Sequence, residues 1–166
     1  MFDKTDFVNS LAHEIKCIKH LATKVAPGAL DYRPTLGQRS TLELLGFLSN
    51  VVSAGMTAVL EEGFTGGYAK YKERRAEVTL ENFAIHMDEQ SADITSILEK
   101  FTDEEMEKDL DLFGIGHVMK KRAWLVETVL KWVVAYKMQL FLYIKANGVS
   151  TIGTMDLWQG MDTPVK

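Results

Sequence analysis

Three side chains of metal-binding type recur near the start of the chain: His13, Cys17 and His20. On an α-helix, their spacing of four and then three residues aligns them on one side. At about 1.5 Å of rise per residue the two histidines lie roughly 10 Å apart along the axis, so one ion can bind a neighbouring pair but not all three. Because this line lies opposite the apolar face of the helix, the pattern predicts a solvent-exposed stripe, with an adventitious metal or a partner surface as the alternative.

Other arrangements of reactive residues give weaker signals. His86 and His117 form a substitute metal centre only if the fold brings a carboxylate beside them, and no ligand spacing indicates this. Cys17 has no base near it on a buried face, and no serine lies in a nucleophile-elbow context. Gln90 falls among apolar residues, where an amide needs a hydrogen-bond partner or a ligand. A satisfied core amide is the simpler interpretation.

The composition limits the class of protein. With 166 residues, of which 46% are apolar and 25% charged, the chain is long enough for one well-packed domain, residues 1–166. A formal charge of −4 argues against a nucleic-acid partner. One cysteine, no signal-peptide pattern and no apolar run near the ~18 residues of a membrane span predict a cytoplasmic protein. One basic run is predicted to be merely solvated: Lys70, Lys72, Arg74 and Arg75.

Hydrophobic periodicity predicts helices in the first half of the chain. The first begins near Thr5 or Asp6 and ends before Pro27. Its apolar stripe consists of Phe7, Leu11, Ile15, Ile18, Ala22 and Val25. The second begins at a capping box formed by Ser40 and Glu43 and runs to about Glu62, where glycines end it. Residues 63–78 are predicted to cross over the end of the bundle.

The second half holds two more predicted helices. The third starts near Thr79, with an inner stripe of Phe83, Met87, Gln90, Ile94, Leu98 and Phe101. The fourth covers residues 121–148, with an inner face of Leu125, Val129, Trp132, Tyr136, Leu140 and Tyr143. Residues 102–120 are predicted to form a loop. Residues 149–166 are predicted to form an irregular tail packed back by Trp158 and Met161.

Three short motifs resemble those of the DinB-like superfamily. Asp31-Tyr32-Arg33-Pro34 matches the tyrosine-arginine-proline signature before the second helix of that superfamily. Residues 40–48 match its pattern of serine, glutamate, two aliphatic residues, a small residue, histidine and an aliphatic residue. Lys137-Met138-Gln139 through Gly148 matches the arginine-glycine-glutamine motif of the last helix, with lysine for arginine and methionine for glycine. The resemblance covers most of the chain and implies an all-α four-helix bundle with a long crossover connection. It also implies that a turn within residues 102–120 packs against the open end of the bundle and places His117 near the mouth of the pocket.

The resemblance also implies a site. Members of this superfamily typically hold a divalent metal with one histidine from the second helix and two from the last, and characterised members mostly transfer or isomerise thiol compounds. The corresponding positions here are Phe47, Trp132 and Tyr136. None can replace imidazole, because phenyl and indole lack a suitable lone pair and a phenol has a pKa near 10. We therefore expect no metal, no cofactor and a cluster of three aromatic rings.

Two interpretations of that cluster stay open, a filled core or a small apolar pocket with polar groups from Tyr136, Gln139 and Gln90. The first functional hypothesis is a DinB-like non-metal binding or interaction protein, whose ligand is a small apolar or thiol-containing molecule. The alternatives are a thiol-dependent transferase or isomerase with a relocated metal or none, and a structural homodimer. The dimer would bury apolar residues outside the inner face of the last helix: Trp124, Val126, Val133 and Ile144.

Overall fold

The computed structural model describes residues 3–64 and 66–164, and this part of the chain is mainly helical. The helices are α1 Lys4–Ala22, α2 Thr41–Leu48, α3 Val51–Leu60, α4 Gly66–Arg74, α5 Phe83–Leu98, α6 Asp103–Met106, α7 Lys121–Trp124, α8 Lys131–Ala146 and α9 Thr154–Gln159. A π-helical segment, Leu125–Leu130, joins α7 to α8, and 3-10 turns cover Pro27–Ala29 and Arg75–Glu77. Two short strands, β1 Asp109–Leu110 and β2 Met119–Lys120, pair antiparallel.

Four helical elements surround one apolar core: α1, α3, α5, and the π segment together with α8. Helix α1 packs against α5 and α8, while α3 packs against α5 and the π segment, so the four form a closed ring. The crossover predicted over residues 63–78 contains α4, which packs along α3. The predicted all-α four-helix bundle is therefore confirmed.

The first helix forms as predicted, but one of its faces differs. Asp3 caps it by accepting from the backbone N–H groups of Thr5 and Asp6 at 2.7 and 3.2 Å, and every residue of the predicted apolar stripe is buried. The opposite line was expected to be exposed, and this was wrong for Cys17, which is fully buried. Helix α9, absent from the prediction, covers it because Ile152 and Leu157 carry the tail into the core.

The second helix begins at the predicted capping box, in which Ser40 Oγ accepts from the Glu43 N–H at 3.2 Å and Glu43 accepts from the Ser40 N–H at 2.6 Å. The prediction of one continuous helix to Glu62 was wrong. Ser49 and Asn50 separate α2 from α3, and the two axes are bent by 48°. The carboxamide of Gln90 bridges this break, accepting from the Val52 N–H at 2.9 Å and donating to the Leu48 carbonyl at 3.0 Å.

The boundaries around the crossover differ from those predicted. Helix α3 is followed by Glu62 and Gly63, both with positive φ, whereas Gly66, predicted as part of a helix stop, begins α4. Helix α5 starts four residues later than Thr79. Thr79 and Asn82 hydrogen-bond each other's backbone N–H at 2.7 and 3.2 Å, and these bonds hold the chain in a turn before the helix.

The last helix is continuous, and four residues of its predicted inner face are buried: Leu125, Val129, Leu140 and Tyr143. The prediction was wrong for the other two, Trp132 and Tyr136. The π segment adds a residue to the turn, which rotates the side chains of α8 relative to a regular helix. Along α8, the fully buried positions include Val133, Lys137 and Leu140, while Trp132 and Tyr136 are half-buried. Three of the four residues expected to form a dimer surface are buried within the chain itself: Trp124, Val133 and Ile144. The dimer remains a prediction without that support.

The remaining connections contain more regular structure than predicted. The loop expected over residues 102–120 includes α6 and the β1–β2 pair. The tail expected to be irregular includes α9, and within the tail Trp158 is 41% and Met161 53% exposed. The last two residues of that predicted tail, 165 and 166, lie outside the described part of the chain.

No single described helix is both long and apolar enough to cross a membrane. Helices α2 and α3 together would satisfy such a test by length and composition, despite the bend between them.

Candidate functional site

Two of the three positions that the resemblance assigns to a metal form an aromatic pair. The rings of Phe47 and Tyr136 lie 4.5 Å apart between centroids at an angle of 63°. The packing of α2 on α8 brings them together. Phe47 is buried, whereas Tyr136 keeps part of its surface exposed. The pair fills space between the helices with carbon instead of metal-binding nitrogen.

Trp132 belongs to a second aromatic group. Its ring stacks with Phe64 at 6.3 Å and lies 6.4 Å from Phe113. Phe113 also contacts Trp124, and the His117 ring packs edge-on against Trp124 at 5.5 Å. Phe64 and Phe113 come from connections outside the four main helices, so this group closes the end of the bundle where His117 was expected.

Two guanidinium groups lie over the Phe47 ring. The Arg39 Cζ atom is 4.0 Å from the ring centroid and that of Arg75 is 4.6 Å from it, and Arg39 is also 5.4 Å from the Tyr136 ring. Such cation–π contacts are typical of arginine over an aromatic face. The aromatic pair therefore lies beside two guanidinium cations.

Both arginines line a pocket of about 530 Å³, which we call the basic pocket. Its lining residues are Arg33, Leu36, Gly37, Gln38, Arg39, Glu43, Lys72, Arg75 and Ala76. Four of them are cationic and one is a carboxylate, which gives a local charge of about +3 in a chain of net charge −4. Such a concentration of one sign attracts anions.

The helix break holds Arg75 in place. Its Nε donates to Asn50 Oδ1 at 2.8 Å, and the Asn50 amide donates to the carbonyl of Tyr71 at 3.0 Å and more weakly to that of Gly46 at 3.3 Å. A Cβ at Gly46 would lie 2.8 Å from the Arg75 carbonyl oxygen, so only glycine permits this close approach. The Nη2 atom of Arg75 is buried and has no hydrogen-bond partner among the described residues.

A chain of hydrogen bonds positions Arg39. Gln139 donates to the Tyr143 hydroxyl at 2.6 Å, and that hydroxyl donates to the Arg39 carbonyl at 3.0 Å. The Tyr32 ring packs edge-on against Tyr143 at 5.4 Å. Gln139, expected as a polar group of an apolar pocket, thus supports the backbone of the basic pocket instead.

Glu43 is the only acidic residue among those that line the basic pocket. The backbone N–H of Ser40 holds the pKa of this carboxyl below its usual value, and the charges of Arg33 and Arg39 lower it further. Arg33 Nη2 lies 3.3 Å from Glu43. Glu43 therefore stays ionised at neutral pH and offsets only one of the four cations.

Similarity to known proteins is found by comparison of structures and not by comparison of sequences. No protein-family model matches the chain, and no curated protein matches it. A DinB-like protein from Bacillus subtilis superposes with a TM-score of 0.66 over 90% of this chain and 96% of its own, at 18% identity. A protein assigned to the DinB family from Exiguobacterium sibiricum 255-15 gives 0.64 over 94% and 99%, also at 18% identity.

This chain has the DinB-like fold. The agreement extends over nearly the whole length of both chains, so the bundle with its crossover is shared as a unit. Identity of 18% leaves the side chains of the site to be interpreted from this structure alone.

Two other predicted candidates are engaged elsewhere in the DinB-like bundle. Both polar groups of Gln90 bond to backbone at the helix break. His86 Nδ1 lies 3.0 Å from Glu89 on the same helix. Among residues 3–64 and 66–164, one group of three metal-binding side chains is close enough to share an ion, and it contains neither His86 nor His117: His20, Asp156 and Asp162.

Sequence patterns missed the residues that shape the basic pocket. Lys72 and Arg75 belong to the run interpreted as solvated, and Arg39 lies in the connection before α2. A usable signal was the presence of Arg33 and Arg39 shortly before the capping box, together with the cationic run that begins at Lys70, in a chain of net negative charge. The distance of 36 positions between Arg39 and Arg75 hid their shared contact with Phe47.

Proposed function

We propose that this protein binds a small anionic molecule in the basic pocket. The observation that carries the proposal is the concentration of four cationic side chains around one pocket against a single carboxylate. A carboxylate or phosphate group in the pocket would pair with these cations, and arginine binds both groups well.

The same cations count against the metal chemistry of the superfamily at this position. Two unit charges about 5 Å apart repel by roughly 3 kcal/mol at an effective dielectric of 20, and a divalent ion doubles that for each arginine. The aromatic side chains supply no good ligand to offset the repulsion. Loss of the histidines and gain of the arginines thus act in the same direction, from cation to anion binding.

The other functional hypotheses fit the basic pocket to different degrees. A small thiol that carries carboxylates would satisfy the basic pocket, so thiol-dependent chemistry remains an alternative that requires turnover to be observed. A purely apolar ligand fits the charged lining less well. The homodimer and the cytoplasmic location remain predictions.

Isothermal titration with inorganic phosphate, citrate and glutathione tests the proposal. The wild-type protein should bind at least one of these at a one-to-one ratio, and Arg75→Gln should weaken binding about 10- to 100-fold, as expected for a lost charge-assisted hydrogen bond. Lys70→Gln is the matched control, because Lys70 is an exposed cation on α4 outside the pocket lining. Equal weakening by both substitutions would indicate bulk attraction and overturn the site.

A comparison of glutathione with S-methylglutathione separates the alternative. Equal binding of the two supports anion recognition, whereas a strict need for the free thiol, with turnover, supports the transferase hypothesis.

A further inference from the structure

A second cluster of charged side chains joins the C-terminal segment to α1, far along the chain from the basic pocket. His20 projects from α1, Asp156 from α9, and Asp162 from the residues after α9. One ligand atom of each lies within 4.8 Å of the others. We propose that these three residues form a divalent metal site that fastens the C-terminal segment to the bundle.

The distances suit a shared ion. His20 Nε2 is 2.8 Å from Asp156 Oδ1 and 3.6 Å from Asp162 Oδ1. Metal–ligand bonds of about 2.0–2.2 Å place neighbouring ligand atoms roughly 3 Å apart in an octahedral site and roughly 3.5 Å apart in a tetrahedral one. Small rotations of the side chains would bring all three atoms onto one ion, with water completing the coordination.

Asp156 is held in the orientation that a metal ligand needs. Asp156 is only 1% exposed. Its Oδ2 accepts hydrogen bonds from the backbone N–H groups of Gly153 at 2.9 Å and Thr163 at 3.1 Å. These bonds fix the carboxylate and turn Oδ1 toward His20. Outer hydrogen bonds of this kind commonly orient the carboxylates of metal sites.

With His20 in the neutral form that binds metal, the cluster carries more negative than positive charge. Two carboxylates face one ammonium, that of Lys24, whose Nζ lies 2.5 Å from Asp162 Oδ1. Replacement of Lys24 by a divalent cation would neutralise both carboxylates, and the Lys24 side chain, 27% exposed, can turn into solvent. Imidazole binds as the neutral form, so a proton on Nε2 would leave to solvent when the ion enters.

A bound ion would hold the C-terminal segment over the buried thiol of Cys17. Gly160 has φ of 59°, and a Cβ there would lie 3.2 Å from the Cα of Cys17, so the segment passes directly over α1. This site is separate from the positions Phe47, Trp132 and Tyr136, for which the sequence predicts no metal. It uses oxygen and imidazole ligands, which suit zinc and manganese.

Chelator-treated wild-type protein should be titrated with zinc and with manganese. We expect about one ion per chain, a higher Tm, and slower reaction of Cys17 with a thiol reagent when the ion is present. His20→Gln and Asp162→Asn should each weaken binding at least tenfold and abolish the slower thiol reaction. The matched control is His86→Gln, which removes a histidine paired with Glu89 on another helix and should leave metal binding unchanged.

Two results would overturn the site. The first is absence of one-to-one binding by either ion, and the second is binding that survives both His20→Gln and Asp162→Asn. His13→Gln adds a further check. His13 Nε2 lies 3.7 Å from the Cys17 sulfur, and these two side chains form the other candidate pair of zinc ligands. Loss of the ion in His13→Gln with retention in Asp162→Asn would assign it to that pair and contradict the proposal. Because Asp162 is exposed, Asp162→Asn is expected to fold, and it tests metal binding even if His20→Gln does not fold.

Discussion

The Nε of Arg75 donates a hydrogen bond to Asn50 Oδ1 at 2.8 Å. Asn50 lies in the break between α2 and α3, and Arg75 lines the basic pocket. This contact therefore links the bend in the second bundle helix to one of the cations of the pocket. If α2 and α3 formed one straight helix, the side chain of Asn50 would lie elsewhere, and Arg75 would lose this hydrogen bond.

Gln90→Met should destabilise the bundle strongly. Methionine has a similar length but leaves the Val52 N–H and the Leu48 carbonyl without their present partner at the break. Two unpaired buried groups at about 1–3 kcal/mol each give an expected loss of roughly 2–6 kcal/mol in the free energy of unfolding. Urea denaturation measures it, with the exposed Thr95→Ala of the same helix as the control, expected within about 0.5 kcal/mol of wild type. A loss below about 1 kcal/mol for Gln90→Met would mean that water replaces the amide.

Lys137→Met should also be strongly destabilising, and a second substitution should reverse part of the effect. Lys137 is fully buried and lies 2.7 Å from the carboxylate of Glu14, itself only 10% exposed at the side chain. Removal of one partner of a buried ion pair typically costs about 3–5 kcal/mol because the other charge is left uncompensated. The double variant Glu14→Gln with Lys137→Met should recover stability relative to Lys137→Met alone in the same urea assay. Additive losses would contradict a coupled pair.

Gly46→Ala should weaken both the fold and anion binding. The added Cβ would meet the carbonyl oxygen of Arg75 at 2.8 Å, and this atom is backbone, so the turn that carries Arg75 must move. Overpacking of this kind costs about 1–3 kcal/mol. Thermal unfolding and phosphate titration report the two effects. Unchanged anion affinity in a folded Gly46→Ala variant would show that the position of Arg75 does not matter.

Glu43 should make the protein lose stability in acid. The Ser40 N–H and then the nearby arginines lower its pKa in the folded state. A carboxyl with a lowered folded-state pKa stabilises fully above its unfolded pKa of about 4.3 and loses this contribution as pH falls through the folded value. Glu43→Gln preserves a capping side chain but does not titrate, so its Tm should fall less than that of wild type between pH 6 and pH 3. Parallel profiles would exclude a contribution from Glu43.

The sequence was sufficient for the fold because its periodic stripes and the Ser40–Glu43 capping box are local signals. It was insufficient for the face of the last helix, since nothing in the local pattern marks the π segment Leu125–Leu130 that turns Lys137 inward. The helix break likewise depends on Gln90, which lies 38 residues beyond its partner Val52. Tertiary contacts of this range override a regular 3.6-residue pattern.

The site shows the same division between local and long-range signals. The resemblance assigned Phe47, Trp132 and Tyr136 to one site, and the structure pairs the first and third of these rings. The two arginines over Phe47 come from separate connections, and only the folded chain brings them together. Local motifs therefore indicated the aromatic residues, and long-range packing was needed to show the cations beside them.

The most direct test of anion binding in place of metal binding is to observe the arginines themselves. In a ¹⁵N-labelled sample titrated with phosphate, the Nε–H resonances of Arg75 and Arg39 should shift together and saturate, while that of Arg122, whose partner Glu107 lies outside the pocket lining, should not move. Substitution of each arginine by glutamine assigns the signals. Saturable shifts confined to the basic pocket are the predicted result. Uniform small shifts across all arginines, or saturable shifts centred elsewhere, would contradict anion binding at this site.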